Sequence, residues 1–406
     1  MKVELQINNS ANARARFVSW APSPCRIRVT DPTGASGPVV VVNLSRTSAA
    51  SGGDVVFRKG TTGLFANTLA LKVPINGTSV PFFVAGKFGQ PSSNNSDVRI
   101  DAKVAASLVG AVKVMVRIRK NANSLTAGER DRLVAAFAKL NNQGAGRFAD
   151  FRDMHTAVSS PQAHGAPGFL PWHRAYLLDL ERELQNIDPS VALPYWRFDQ
   201  PSPNIFTLDY FGVSDPLGTV QFSPTNPLQF WKTDGVPGIN RRPFFSTAVA
   251  PPGLLTQAQT LALGAAYAQF RGMEGNPHGS AHVSFGGFIS SIPTAARDPL
   301  FFLLHCNVDR LWAKWQRQFA RFDFTVAASY DSGANPIGHN LPDTMWPWNG
   351  ITGPPRPPTA PGGTMAASPC VSAPGPQPRV RDPLDYQGSV NAVSRMGFDY
   401  DDVPFA

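Results

Sequence analysis

Six of the seven histidines in this 406-residue chain fall into two sets of three, and any fold it adopts must bring each set to a point. The first set, His155, His164 and His173, lies within FRDMHTAVSSPQAHGAPGFLPWHRAYLLDLE. The second, His278, His282 and His305, lies within MEGNPHGSAH and ARDPLFFLLHCNVDRLW. Neither set needs a cysteine or a carboxylate to complete it, so each describes a metal ion held by imidazole nitrogen alone. Imidazole suits copper, zinc, iron and nickel, and ligand type by itself does not choose among them. A copper pair cycling between Cu(I) and Cu(II) without gaining anionic ligands fits the neutral three-plus-three set best. His278 and His282 are four residues apart, which on a helix sends both rings from one face. His305 would come from the next helix. His173 opens a helix of its own, whereas His155 and His164 come from an earlier helix and a connecting loop. Asp309, one turn beyond His305, is placed to accept from a ligand ring and fix its orientation. The seventh histidine, His339 in NPIGHNLPD, reads as a loop residue.

Composition narrows the setting. A hydrophobic content of 42% is ordinary for a globular protein, and no apolar run is long enough to span a bilayer. The opening MKVELQINNSANARAR has neither an apolar core nor a small-residue cleavage site, so a secretory leader is expected to be absent or already removed. Cys25, Cys306 and Cys370 are odd in number and form no CxxC pair, which argues against a disulfide scaffold and for a reducing, cytoplasmic setting. The charge is uneven: residues 1–120 carry +11, and the remainder carries −2. That asymmetry serves solubility or attraction within the chain, and it leaves room for an acidic partner of the basic N-terminal part. No nucleic-acid recognition motif accompanies it, so nucleic acid is not expected as a partner.

The predicted organisation is multidomain α+β. Period-two segments at 3–7, 14–20, 25–30, 38–44, 54–59, 80–88, 97–104 and 111–120, separated by turn-forming stretches such as DPTGASG and INGTS, predict a β-sandwich accessory domain over residues 1–111. Residues 112–406 then form a mainly α catalytic domain. In SLTAGERDRLVAAFAKL, Ser124 or Thr126 can cap a helix whose apolar residues Leu133, Val134, Phe137 and Leu140 recur at helical spacing. Further helices are predicted from about Trp172 to Gln185, from Thr256 to Phe270, and from Leu300 onward, and a four-helix core is a common frame for a binuclear metal site. The Pro- and Gly-rich stretch 351–385 reads as an extended surface loop.

The segments around the histidines resemble the type-3 copper family of tyrosinases, catechol oxidases and haemocyanins. One family pattern is a histidine followed after a short gap by Phe, then aromatic-His-Arg and a later Glu; here it reads His164, Phe169, Trp172-His173-Arg174 and Glu181. The other is Asp-Pro-x-Phe followed by His-x-x-x-Asp; here it reads Asp298-Pro299-Leu300-Phe301 and His305 to Asp309. LPYW (193–196) and MGFDYDD (396–402) add to the likeness, which spans about residues 112–402. It implies that His155, His164 and His173 bind one copper and His278, His282 and His305 the other, with O2 as co-substrate. The implied reaction is oxidation of small o-diphenols to o-quinones, with ortho-hydroxylation of monophenols, as in melanin-forming enzymes, as the second activity the family allows.

The resemblance also assigns roles outside the ligand set. Glu274 stands where the family holds a water-positioning glutamate and would act as general base on the phenolic proton. Gly279 stands where monophenol-active relatives often carry Asn after the first histidine of that site; Asn276 is nearby, on the other side of the histidine. The expectation is therefore diphenol oxidation above monophenol hydroxylation. Ile292 stands at the gating position, where a side chain smaller than Phe widens the entrance. Gln162 and Ala163 exclude the thioether link many eukaryotic members make to the second histidine. Leu304 and Arg197 also depart from the family pattern. The alternatives are an o-aminophenol oxidase, a non-enzymatic haemocyanin-like oxygen carrier, and a dizinc hydrolase. The last usually bridges its metals with carboxylates, which are absent here at ligand spacing.

Overall fold

The computed structural model describes residues 1–142, 146–354, 356–359 and 363–405. The chain divides into two compact units: residues 1–118 with 368–372 and 395–405, and residues 119–367 with 373–394.

The first unit is β-rich. Its strands are β1 (Lys2–Ile7), β2 (Phe17–Val18), β3 (Ser23–Asp31), β4 (Val39–Ser48), β5 (Val55–Arg58), β6 (Leu69–Pro74), β7 (Val80–Gly86), β8 (Val98–Val104) and β9 (Ser107–Val116). They form two sheets, ordered β1-β3-β7-β5 and β2-β9-β8-β4-β6. Alternation sets which side chains go inward: Cys25, Ile27 and Val29 from β3 and Val40, Val42 and Leu44 from β4 enter one shared apolar core. Most predicted strands appear within a few residues of their expected limits. Segment 14–20 does not: residues 13–15 make a 3₁₀ turn capped by Asn12, and only Phe17 and Val18 pair, in parallel with β9. Strand β6 was not predicted, although Leu69, Leu71 and Val73 alternate.

Where the sequence places the boundary at 111/112, β9 carries the first unit on to Ile118, because Val112, Val114 and Val116 still face its core. Residues 395–405 also belong to this unit. Trp20 donates its indole N–H to the Tyr400 carbonyl (2.8 Å), and the Arg395 guanidinium reaches Ser23 Oγ (2.6 Å) and Asn8 Oδ1 (2.8 Å).

The second unit is mainly helical: α1 (Ala127–Asn142), α2 (Phe148–Met154), α3 (Ser160–Ala163), α4 (Phe169–Ile187), α5 (Gln257–Leu261), α6 (Tyr267–Phe270), α7 (Ser280–Ser284), α8 (Ile292–Ala295) and α9 (Leu300–Phe319). Of the two candidate caps for α1, Thr126 takes the role, its hydroxyl accepting from Glu129 N–H (3.3 Å) while Glu129 Oε2 returns to the Thr126 N–H (3.0 Å). Three of the four predicted core helices are long. The fourth, 256–270, is broken: α5 stops at Leu261, and Gly264, at φ +148° in the gap before α6, takes a backbone shape that L side chains rarely adopt. Long loops complete the unit, including 351–385 apart from residues 368–372, which belong to the first unit; of that loop, residues 355 and 360–362 lie outside the described residues.

Helices α4 and α9 pack together, and a buried ion network ties them. The Arg119 guanidinium meets Glu181 Oε2 (2.7 Å) and Asp309 Oδ2 (3.2 Å), while Arg174 Nε meets Asp309 Oδ1 (2.5 Å). These four side chains are at most 2% exposed. Asp309 therefore serves two guanidiniums, and the His305 Nδ1 it was expected to orient has no hydrogen-bond partner. The charges decide this: an arginine attracts a buried carboxylate more strongly than a neutral ring does. Among the described residues no helix is long and apolar enough to cross a membrane.

Candidate metal centre

The two long helices supply the deepest ligands. His173 on α4 and His305 on α9 are 1% and 0% exposed, and their rings stack at 4.2 Å with 7° between planes. His155 caps the C-terminal end of α2 and His164 that of α3. His278 lies in a wide turn, Gly275–Gly279, opened by Asn276 at φ −142°, and His282 follows on α7. In each triad the ligand nitrogens lie within 4.8 Å of one another.

The tautomers follow from the hydrogen bonds. A carbonyl can only accept, so His173 Nδ1 donates to Phe169 O (2.9 Å), His278 Nδ1 to Glu274 O (2.7 Å) and His282 Nδ1 to Ile289 O (2.7 Å). Each of these rings then presents a lone pair at Nε2. His278 Nε2 and His282 Nε2 lie 3.3 and 3.0 Å from His305 Nε2, and His155 Nε2 lies 3.2 Å from His164 Nε2. His173 Nε2 is buried with no protein partner. Converging lone pairs repel unless a cation sits between them. Nitrogens bound to one ion at about 2.0–2.1 Å in tetrahedral directions would stand roughly 3.3 Å apart, so the donor sets fit a metal ion in each triad.

Burial also sets the protonation state. Desolvation pushes all six imidazoles down, His164 and His282 to about 4 and the other four well below their ordinary value. They are neutral at pH 7, as ligation requires.

A cavity of about 410 Å³ opens above the triads, lined by His155, His164, Gly165, Glu274, His278, Gly279, His282, Ile289, Ser290, Ser291, Ile292 and Ala295. Glu274 Oε1 accepts the Gly165 N–H at 2.7 Å, and burial raises its carboxyl above the usual range. Gly279 lines the cavity, and a Cβ there would stand 3.4 Å from the Glu274 carbonyl, an ordinary contact. Ile292 is 40% exposed at the rim. Asn276 is not part of the lining. Its amide is committed to the loop before α5, accepting from Leu255 N–H (2.9 Å) and donating to Gly253 O (3.0 Å). Gly165, Ile289, Ser290, Ser291 and Ala295 were not singled out from the sequence; they are small or aliphatic and carry no signal of their own. Leu304 is fully buried, and Arg197 pairs with Asp199 (2.8 Å). Gln162 accepts from Trp346 N–H and Arg356 Nη1, both at 3.2 Å.

Comparison with known proteins agrees with this geometry. Residues 145–318 match the family model described as the common central domain of tyrosinase. A tyrosinase of Streptomyces glaucescens is 34% identical over 266 residues, covering 57% of this chain and 92% of its own length. The grixazone synthase of Streptomyces griseus is 30% identical over 263 residues, covering 50% of this chain and 85% of its own. Deoxygenated haemocyanin from Rapana thomasiana has a similar fold, with TM-score 0.50 and 22% identity over 71% of this chain and 70% of that one.

Proposed function

The chain belongs to the tyrosinase family of type-3 copper proteins, and from that premise we propose that its six converging imidazoles hold a binuclear copper centre that oxidises small phenols with O2. The observation that carries the reading is the pair of all-nitrogen triads beneath one cavity that also contains a carboxylate. His155, His164 and His173 would hold one copper and His278, His282 and His305 the other, with α2, α4, α7 and α9 as the frame around the pair. When bound, the two ions supply a pair of one-electron couples, so that electrons pass from phenol to dioxygen in twos. Two catechols then lose four electrons and four protons to one O2, giving two o-quinones and two waters.

The side chains bind the phenol and handle its proton. Glu274, whose carboxyl is raised by burial and accepts the Gly165 N–H, would take the phenolic proton. Gly279 offers no second polar group to align a water beside it. Diphenol oxidation is therefore the stronger activity and ortho-hydroxylation of monophenols the weaker. Ile289, Ile292 and Ala295 present an apolar wall to the ring, and Glu274 is the one charged side chain lining the cavity among the described residues. A substrate carboxylate finds no cationic side chain in the lining and meets Glu274 instead, so neutral catechols are favoured over acidic ones.

Oxygen uptake by the copper-loaded protein tests this directly, with a catechol, its monophenol and a carboxylate-bearing catechol side by side. Catechol turnover at one O2 per two quinones, with the zinc-loaded protein inert, is the expected result. Reversible O2 binding without turnover would favour an oxygen carrier instead.

A further inference from the structure

Outside the two triads lies one more deeply buried imidazole. His339, 0% exposed, sits in the loop after Tyr330 and touches both elements that flank His164. Its Nε2 donates to the Pro161 carbonyl in α3 (2.7 Å), and its Nδ1 accepts the N–H of Gly168, the N-cap residue just before α4 (3.0 Å). One donor and one acceptor are thus committed, which the neutral Nε2–H ring satisfies completely. Burial lowers its pKa and keeps it in that form.

The fit is close on both sides. A Cβ on Gly168 would stand 2.5 Å from His339 Nδ1, and one on Gly338 would stand 2.5 Å from Gln162 Oε1. Gly168 has an ordinary helical backbone, so it is the approaching ring that requires glycine there. The far side is braced as well. Tyr330 Oη donates to the His339 carbonyl (2.7 Å), the Tyr330 ring lies 4.9 Å from that of Tyr267, and Tyr267 Oη donates to Pro167 O (2.5 Å).

What lies between Pro161 and Gly168 is His164. Three of the other ligands are oriented by a main-chain carbonyl at 2.7–2.9 Å, whereas His164 leans on Ser160 at the start of α3, whose Oγ lies 3.4 Å from Nδ1 and whose main chain also bears on the ring. Its direction depends on the path of its backbone. We propose that His339 is a positioning residue for His164: by tying Pro161 and Gly168 to one ring, it fixes the span from which His164 reaches the metal and so controls metal retention in the first triad but not the second. This rests on the copper reading above.

Copper titration of the apo-protein against a chromogenic chelator tests it, with electron paramagnetic resonance of the loaded forms. Wild type should take two coppers and give little signal, since paired Cu(II) ions couple. Failure there would overturn the binuclear reading itself, separately from the role of His339. His339→Ala should lose at least tenfold in affinity at one site only. Its mononuclear Cu(II) signal should match that of His164→Ala. His339→Gln, whose amide offers one donor and one acceptor, should recover part of the loss. If His339→Ala does not fold, Gly168→Ala decides, because it displaces the ring without removing it and should weaken the same site. Two coppers at wild-type affinity in the decisive variant, or equal weakening at both triads, would overturn the proposal.

Discussion

In the second triad, two of three rings are oriented by nearby main chain: His278 by the Glu274 carbonyl and His282 by that of Ile289, both at 2.7 Å. In the first triad His173 has such an anchor, the Phe169 carbonyl at 2.9 Å, while the Ile292 and Ser160 main chain bears only loosely on His155 and His164. His155 is placed by packing instead, its ring 4.6 Å from Phe301 and stacked on Tyr176 at 6.3 Å. His164 hangs between a four-residue helix and the start of α4. Each triad takes its deepest ligand from a long helix, and the contrast lies in the other two. A ring tied to a carbonyl within a few residues is pre-organised by local backbone. A ring held by packing or by a remote loop is only as well placed as the tertiary structure around it.

The comparison breaks at once if the triads are not both required. Replacing His173 or His282 by Ala should abolish catechol oxidation and leave about one copper per chain; full activity with two coppers in either variant would sink the assignment. Next in size is the ion network that both long helices share. Asp309→Ala leaves the buried Arg174 without a carboxylate and Arg119 with Glu181 still in place, and should cost about 3–5 kcal/mol in denaturant unfolding. It should loosen both triads together, and a loss confined to one would show that the network belongs to that triad alone.

A graded chelator challenge sharpens the contrast. The first triad should release its copper before the second, seen as growth of a mononuclear Cu(II) resonance at half-depletion. Simultaneous loss would mean that the anchoring difference has no consequence.

Acid should act on both triads in the apo-protein. His164 and His282 are held at about 4 by burial, against 6.5 in the unfolded chain. Between those values the unfolded chain takes up protons that the folded state refuses. Apo stability is therefore complete above pH 6.5 and is lost as pH falls toward 4. Denaturant midpoints at neutral and mildly acidic pH check this, and a flat profile would contradict the burial of these rings. The smallest expected effect is at the second triad's edge. Gly279→Asn, for which there is room, should raise the monophenol-to-diphenol rate ratio by about tenfold or less, roughly one hydrogen bond's worth. An unchanged ratio would remove Gly279 from the explanation of selectivity.

Much of this was legible in the chain. The ligands announce themselves because donor type and local spacing are sequence properties: His278 and His282 are four apart, and His173 and His305 each lie on a long apolar helix. Strands β3, β4, β8 and β9 could be read for a similar reason, since alternation directly reports which face is buried. The 256–270 segment misled because its apolar residues continue past Leu261, where α5 ends, and through Gly264, whose backbone is not helical.

By itself, then, the sequence determined the donor set, the helices that carry the deepest ligands, and a β-rich region ahead of a helical one. Only the tertiary structure decided that Asp309 serves Arg119 and Arg174 rather than a ligand ring, that Asn276 turns to the Gly253 loop, and that residues 395–405 return to Trp20. It also buried the loop residue His339 between Pro161 and Gly168. The physical reason is the same in each case. Periodicity and spacing encode what neighbours along the chain can do, whereas a buried carboxylate, amide or imidazole takes whichever partner the fold delivers, and those partners lie tens to hundreds of residues away.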